Sequence, residues 1–156
     1  MLIRLIAAGT RLPGWVNDGY AEYAARLGPK IRLELREIPV TPRSKNADLA
    51  RARAEEGRRM QAAIEPGMYV VALEVGGKAL STEGLAKWMA QRLQDGRDVA
   101  LLVGGPDGLE PELSRGADLR WSLSALTYPH ALVRVVLAEQ LYRAQSILDG
   151  HPYHRA

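Results

Sequence analysis

Apolar and polar residues follow two different periods along the chain, and each period predicts a different type of element. Leu2–Ala8, apolar apart from Arg4, is predicted to form the first strand. Continuous apolar runs at residues 68–73 and Val99–Val103 are typical of buried strands. Residues 31–35 alternate apolar with charged side chains, which predicts a strand with one face in water. A further short strand is predicted at Leu119.

Helical periodicity fills most of the intervals between these strands. Helices are predicted at about residues 15–27, from a cap at Asn46 to about residue 64, from a cap at Ser81 to Asp95-Gly96, at residues 110–115 and at residues 131–148. The segment Gly76-Gly77-Lys78 is predicted to turn. This alternation predicts an α/β fold with a mostly parallel sheet and helices on both faces, and residues 1–156 are expected to form a single domain.

Two loops after predicted strands carry the strongest signal for a ligand site. Gly104-Gly105-Pro106 ends a buried strand abruptly, at the edge where parallel sheets bind ligands. Residues 121–130 pass from a strand through a loop into a long apolar helix. Backbone groups and small side chains suit a flat heterocycle, whereas the phosphate-loop and G-x-G-x-x-G spacings are absent from the sequence. A plain tight turn is the alternative explanation of the glycines.

Composition excludes several kinds of chemistry. The 156 residues contain no cysteine, which excludes a disulfide framework, an iron–sulfur cluster and a thiolate nucleophile. Only three Trp and six Tyr are present and Phe is absent, so an RNA-binding module that stacks bases on exposed aromatic rings is not expected. The apolar runs are too short for a membrane span, and the first residues do not resemble a signal peptide, so we expect a cytoplasmic protein.

Positive charge is concentrated in one segment. Between Arg26 and Arg59 there are ten Lys or Arg residues against five Asp or Glu residues, although the net charge of the whole chain is only +3. A basic segment on a nearly neutral body indicates a face that meets a polyanion. A solvated helix face with pairs of opposite charge is the alternative.

The predicted last helix is apolar around more than half of its circumference. A helix that packs only on its own sheet needs a stripe of about 100°. We therefore expect part of this helix, including Leu141, to contact a partner subunit. Burial of the helix within a single chain is the alternative.

Four segments together resemble one known family. They are Leu-Leu-Val-Gly-Gly-Pro-Asp-Gly-Leu, Ser-Leu-Ser-Ala-Leu-Thr-Tyr-Pro-His, the helix with Val-Arg-Val-Val-Leu-Ala-Glu-Gln-Leu-Tyr-Arg-Ala, and the ending His-Pro-Tyr-His-Arg. In this order they are similar to the ribosomal RNA large subunit methyltransferase H family, of the SPOUT class. The resemblance covers the chain from end to end.

The resemblance implies a fold, an activity and a partner. Members contain a C-terminal trefoil knot, form homodimers and use S-adenosyl-L-methionine as methyl donor. They methylate N3 of a pseudouridine (pseudouridine 1915) in 23S rRNA within assembled ribosomes. Carried over by position, the donor-binding residues are Leu73, Gly104, Gly105, Leu123, Ser124, Ala125, Leu126, Thr127 and Tyr128.

The reaction needs a group that assists the loss of the N3 proton. Tyr153 and His154 in the C-terminal tail are the candidates, and Arg143 is a candidate for holding a phosphate or the acceptor base. A tail that is merely docked on a protein surface is the alternative. His130, with the two tail histidines, lacks a carboxylate pattern that would complete a metal site, so no metal is expected. His130 is instead expected to cap or orient the donor loop.

Two other classes of function remain open at this point. The first is a non-catalytic ribosome- or RNA-binding factor that has kept an α/β fold. The second is an enzyme that binds a nucleotide and acts on a small molecule, which would leave the basic segment without a role.

Overall fold

A five-stranded parallel sheet forms the centre of the protein. The computed structural model describes residues 1–42 and 48–155. The sheet has the order β2-β1-β4-β3-β5. Its strands are β1 (Leu2–Ala8), β2 (Arg32–Ile38), β3 (Tyr69–Ala79), β4 (Val99–Val103) and β5 (Leu119–Ser122). The predicted parallel sheet is therefore confirmed, and the first and fourth strands have the predicted bounds.

Helices cover both faces of this sheet, as predicted. They are α1 (Gly14–Ala24), α2 (Leu49–Ala63), α3 (Thr82–Asp95), α4 (Pro111–Gly116) and α5 (His130–Leu148), followed by a 3-10 helix at Pro152–His154. Residues of α3 and α5 belong to the core on one face, and α1 packs beside α5. Residues of α2 and α4 belong to the core on the other face.

Strand β4 shows why a continuous apolar run fits the centre of such a sheet. All five of its residues are buried, and successive side chains point to opposite faces. Val99, Leu101 and Val103 join the core beneath α3 and α5, whereas Ala100 and Leu102 join the core beneath α2 and α4. A strand between two helical layers therefore needs apolar residues at every position.

The prediction of a turn at Gly76-Gly77-Lys78 is wrong, because β3 continues to Ala79. The strand instead leaves its register with β5, so that Leu73 and Lys78 both lie opposite Trp121. A Cβ atom on Gly77 would lie 2.7 Å from the backbone nitrogen of Trp121. Glycine here permits close approach between strands, which the sequence pattern of a turn does not distinguish.

The predicted N-cap of α3 is confirmed, whereas α2 is capped by a different residue from the one predicted. The Ser81 hydroxyl accepts a hydrogen bond from the Gly84 nitrogen at 3.0 Å and caps α3, which ends at Gly96 with a φ of 80°. Helix α2 is capped by Asp48, whose carboxylate accepts from the Arg51 nitrogen. Asn46, where the sequence placed this cap, lies outside the described residues.

Helix α5 finds its second apolar surface within its own chain. It contacts α1 on one side and α3 on the other. Gly19 of α1 allows this contact to be close, because a Cβ atom there would lie 3.2 Å from Val135. Leu141 is fully buried in the core of the single chain, so its predicted place on a partner surface is wrong. The homodimer and the trefoil knot themselves stay predictions that follow from the family.

No helix in the described part of the chain is long and apolar enough to cross a membrane.

Candidate functional site

A cavity of about 400 Å³ lies beyond the carboxyl ends of β4 and β5 and beside residues 73–75 in the middle of β3. Its wall is formed by these β3 residues, by residues at and after the ends of β4 and β5, and by the first turn of α5. This is the edge at which parallel α/β sheets bind ligands, and the volume is in the range of small-molecule sites. The sequence placed its two candidate loops at this edge.

Eight of the nine residues assigned to donor binding line this one cavity. They are Leu73, Gly104, Gly105, Leu123, Ser124, Leu126, Thr127 and Tyr128. Ala125 is exposed and is not among the lining residues. The structure therefore brings together three segments that are separated in sequence by about 20 to 30 residues.

The loop after β4 is closed tightly on itself. The Gly108 nitrogen donates to the Gly105 oxygen at 3.1 Å, and Gly108 has a φ of 78°. A Cβ atom on Gly104 would lie 2.4 Å from the Gly108 carbonyl carbon and 2.5 Å from the Leu109 nitrogen. Glycine at 104 is thus required by the loop's own backbone, in addition to any need for a ligand to approach.

Helix α2, which packs on the face of the sheet opposite to α3 and α5, contacts this loop. Arg53 donates from Nη1 to the Asp107 oxygen at 3.2 Å. At Gly57 a Cβ atom would lie 2.7 Å from the Glu110 Cβ, so the helix lies directly against the end of the loop. These contacts hold the loop against α2, and a loop held in place by its own chain lowers the ordering cost of binding a ligand.

The loop after β5 is ordered by two serines. The Ser122 hydroxyl donates to the Ser124 carbonyl oxygen at 2.9 Å, and the Ser124 hydroxyl accepts from the Leu126 nitrogen at 3.0 Å. These bonds use side chains to hold backbone, as short hydroxyl residues commonly do in turns. Leu126 itself is 71% exposed at the cavity, which leaves an apolar surface for a ligand to cover.

Glu74, the carboxylate in the cavity wall, is not among the site residues predicted from the sequence. It directly follows Leu73, at the point where β3 leaves its register with β5. The Ser114 hydroxyl of α4 donates to its Oε2 at 2.7 Å, and Arg120 Nε lies 3.8 Å from its Oε1. The pattern of a predicted turn just beyond it concealed that the strand continues along the cavity.

The first turn of α5 closes the cavity and is anchored by a buried cation. His130 and Val133 line the cavity, and Pro129 is the N-cap residue of α5. That His130 caps or orients the donor loop stays a prediction. Arg134, only 1% exposed, donates to Glu37 Oε2 at 2.8 Å and to the Gly9 oxygen at 2.7 Å. The start of α5 is thereby tied to the ends of β1 and β2. A buried charge that is paired and hydrogen-bonded in this way fixes the position of its helix.

The three residues assigned to catalysis are close together, but outside the cavity. Tyr153 donates from its hydroxyl to Glu139 Oε1 at 2.9 Å, and Arg143 donates to the same oxygen from Nε at 3.0 Å and from Nη2 at 2.5 Å. The Arg143 guanidinium lies 5.0 Å from the centre of the Tyr153 ring. Burial, together with the bond to Glu139, raises the pKa of Tyr153 to about 12, so this phenol stays protonated at neutral pH.

The tail histidines bond to their own backbone. His154 Nδ1 lies 2.7 Å from the His151 oxygen, and His151 Nδ1 accepts from the Tyr153 nitrogen at 3.2 Å. Because a carbonyl oxygen can only accept, Nδ1 of His154 carries a proton and Nε2 is the nitrogen left to accept one. Within residues 1–42 and 48–155 there is no group of three or more His, Asp or Glu placed to hold a metal ion.

Comparison with known proteins identifies the family. The family model described as predicted SPOUT methyltransferase matches residues 1–154. A ribosomal RNA large subunit methyltransferase H from Alkalilimnicola ehrlichii is 62% identical over 100% of both chains, and one from Azotobacter vinelandii is 54% identical over 99% of this chain and 100% of the relative.

A solved structure of a probable methyltransferase from Bordetella pertussis shows that the fold is shared. It has a TM-score of 0.58 and 16% identity, and the match covers 91% of this chain and 95% of that one. The sequence matches over the full chain and this similarity of fold agree with the cavity at the carboxyl edge of the sheet. The chain belongs to the SPOUT methyltransferase family, among relatives named ribosomal RNA large subunit methyltransferase H.

Proposed function

We propose that this methyltransferase transfers the methyl group of S-adenosyl-L-methionine to N3 of a pseudouridine in 23S rRNA, pseudouridine 1915 in its family. It acts on assembled ribosomes, in the compartment that contains them. The observation that carries the proposal is the cavity into which eight of the nine assigned donor-binding residues converge. The relatives named for methylation of large-subunit ribosomal RNA supply the acceptor class.

The cavity fits the donor in size and in chemistry. A volume of about 400 Å³ with few charged groups in the wall suits a molecule that joins a flat purine to a short polar chain. Backbone groups of residues 104–105 and 123–128 could bind the edge of the purine, and Leu123 and Leu126 offer apolar surface that its faces could cover. When bound, the donor supplies a methyl group on a positively charged sulfur.

The protein's own task is to position the acceptor and to remove its proton. With the donor bound, a bond from its methyl carbon to N3 would form as the bond from that carbon to sulfur breaks, so the N3 proton would have to be taken by the protein or by solvent. Tyr153, protonated at neutral pH, could donate a hydrogen bond to a ring oxygen of the acceptor if its hydroxyl exchanges Glu139 for that oxygen. His154 is suited to accept the N3 proton, because its Nε2 can take one while Nδ1 faces the His151 oxygen.

These groups need a second copy of the chain to reach a cavity. Val133 lines the cavity, whereas Arg143 lies ten residues further along α5, which corresponds to about 15 Å along the helix axis. We therefore propose a homodimer in which the tail of one protomer closes over the cavity of its partner. This arrangement requires the partner to approach along the side of α5 that carries the tail.

The protein is expected to recognise the ribosome by the shape of the folded rRNA and by contacts with its phosphates. Arg51 and Arg58 are exposed on α2, within the basic segment noted in the sequence, and lie on one helix face because they are seven residues apart. Arg43 and Lys45 belong to the same segment but lie outside the described residues. Binding to ribosomes is expected to weaken steeply as salt rises, because bound phosphates release counterions.

Two measurements test the proposed function. Mass spectrometry of 23S rRNA fragments from a strain without this protein should show the loss of one methyl group on a pseudouridine, restored when the gene is returned. Calorimetry with S-adenosyl-L-methionine separates the enzyme from a non-catalytic ribosome-binding factor, because a pure binder has no reason to take up the donor. Unchanged rRNA mass, or no donor uptake, would contradict the proposal.

A further inference from the structure

The bulge in β3 places one carboxylate in the cavity wall. Leu73 and Lys78 both lie opposite Trp121, so residues 74–77 are additional to the ladder between β3 and β5. Glu74 and Val75, the first two of them, line the cavity. Gly77 closes the bulge against the backbone of Trp121, where no larger residue fits. Bulges often redirect side chains beside functional sites, and this one directs Glu74.

The carboxylate of Glu74 is held in place by a hydrogen bond from helix α4. The Ser114 hydroxyl, on a residue that is 9% exposed, donates to Oε2 at 2.7 Å. Oε1 has the longer contact with Arg120 Nε, at 3.8 Å, and the Arg120 side chain is 60% exposed to solvent. One oxygen is thus fixed by a buried donor, while the charge of the other is only weakly compensated by a solvated cation.

Glu74 gives the cavity wall a negative charge. Among the described residues that line it there is one carboxylate and no Lys or Arg, and His130 is the one imidazole. A carboxylate in a wall with few other charges favours a positively charged ligand over a neutral one of the same shape. The proposed reaction changes the charge of the ligand, since the donor loses its positive sulfur charge when the methyl group leaves.

We propose that Glu74 makes the cavity selective for the positively charged donor over the neutral product, S-adenosyl-L-homocysteine. This inference rests on the proposed function. The carboxylate attracts the donor before transfer and loses that attraction once the sulfur is neutral, so product leaves and fresh donor enters. Glu74 is in this respect a specificity residue that acts on ligand exchange, and it takes no proton in the reaction.

Calorimetry with three ligands tests the proposal. They are S-adenosyl-L-methionine, S-adenosyl-L-homocysteine and sinefungin, in which a carbon bearing a protonated amine replaces the methylated sulfur. The wild-type protein should bind the two cationic ligands about tenfold more tightly than the neutral product. Glu74→Gln should weaken both cationic ligands by about tenfold and change the affinity for the product by less than about twofold.

Two further variants make the result specific. Ser114→Ala removes the hydroxyl that holds Glu74 and should reduce the selectivity in part, without deleting the charge. Glu112→Gln is the matched control, because Glu112 is an exposed carboxylate on the same helix and does not line the cavity. It should leave all three affinities unchanged. Thermal unfolding of each variant confirms that the fold is intact.

Each contrary outcome has a distinct meaning. Equal weakening of all three ligands in Glu74→Gln would assign Glu74 to a part that donor and product share, and would overturn the selectivity. Unchanged affinities, or no preference in the wild-type protein, would overturn it as well. Failure of the wild-type protein to bind any of the three ligands would instead overturn the proposed function.

Discussion

The two ends of α5 take part in different parts of the proposed reaction. The first turn, with His130 and Val133, closes a cavity that consists largely of backbone and short loops. The second half, with Glu139 and Arg143, carries a cluster of side chains that holds the tail. The first end belongs to a cavity formed within one chain, whereas the second holds titratable side chains away from that cavity. Under the proposed function, one protomer would bind the donor alone and would need another protomer for transfer.

The largest effect is expected from removing the tail. Deletion of residues 153–156 takes away both Tyr153 and His154 and should abolish methyl transfer to ribosomes, because no group remains to act on the N3 proton. Donor affinity should stay within about threefold of wild type, since the cavity is not touched. Transfer assays and calorimetry on the same preparation check both halves. A truncated protein with full activity would remove the tail from the mechanism.

A substitution in the cavity should have the opposite effect, a loss of donor binding with the tail cluster intact. Gly104→Ala places a methyl group 2.4 Å from the Gly108 carbonyl carbon, so the loop after β4 must open. Donor affinity should fall by about a hundredfold or more, and the tail cluster should remain intact. Gly116→Ala is the control, because nothing lies within 4 Å of a Cβ atom at that exposed helical position. Retained donor affinity in Gly104→Ala would move the site elsewhere.

A single-residue version of the tail experiment tests the role of His154. His154→Ala should lower the transfer rate by about 10²–10⁴-fold, the contribution of a general base. The defect should shrink as pH rises, because the acceptor nitrogen then loses its proton unaided. Rates measured across pH distinguish this from a positioning role, for which the loss would be the same at every pH.

The smallest effect is expected from Tyr20, on α1 between the two ends. Its hydroxyl is buried without a hydrogen-bond partner in the described part of the chain, and burial raises its pKa to about 12. A tyrosine in the unfolded chain ionises near 10, so the native state should lose stability as pH rises from about 10 to about 12.

Tyr20→Phe should flatten this alkaline loss and change the free energy of unfolding at neutral pH by no more than about 1 kcal/mol. Methyl transfer should be unchanged, since Tyr20 belongs to neither end of the comparison. Urea unfolding at several pH values measures the first effect. An identical alkaline loss in both proteins would show that another group is responsible.

The strands and most helices could be predicted from the sequence because their signals are local. A buried strand such as β4 needs apolar residues at every position, and Ser81 and Gly96 mark both ends of α3. The donor loops followed from the resemblance and from their position after strands. Local patterns carry this information because neighbouring residues alone determine it.

The failures concern relations between distant segments. Gly77 resembles a turn residue, and only its contact with Trp121 shows that β3 continues and brings Glu74 to the cavity. Leu141 resembles an interface residue, because the sequence does not show that α1 and α3 cover α5. The apolar circumference of a helix gives the amount of surface it buries, but not whether its own chain or a partner covers it.

Complementation between two inactive variants tests most directly whether the tail of one protomer acts at the cavity of its partner. Gly104→Ala has a defective cavity and an intact tail, and His154→Ala has the opposite. If the tail of one protomer serves the cavity of its partner, each mixed dimer contains one complete site. Refolding the two variants together should then restore roughly a quarter of wild-type transfer activity, since about half of the dimers are mixed. Activity no greater than that of the separate variants would contradict the account.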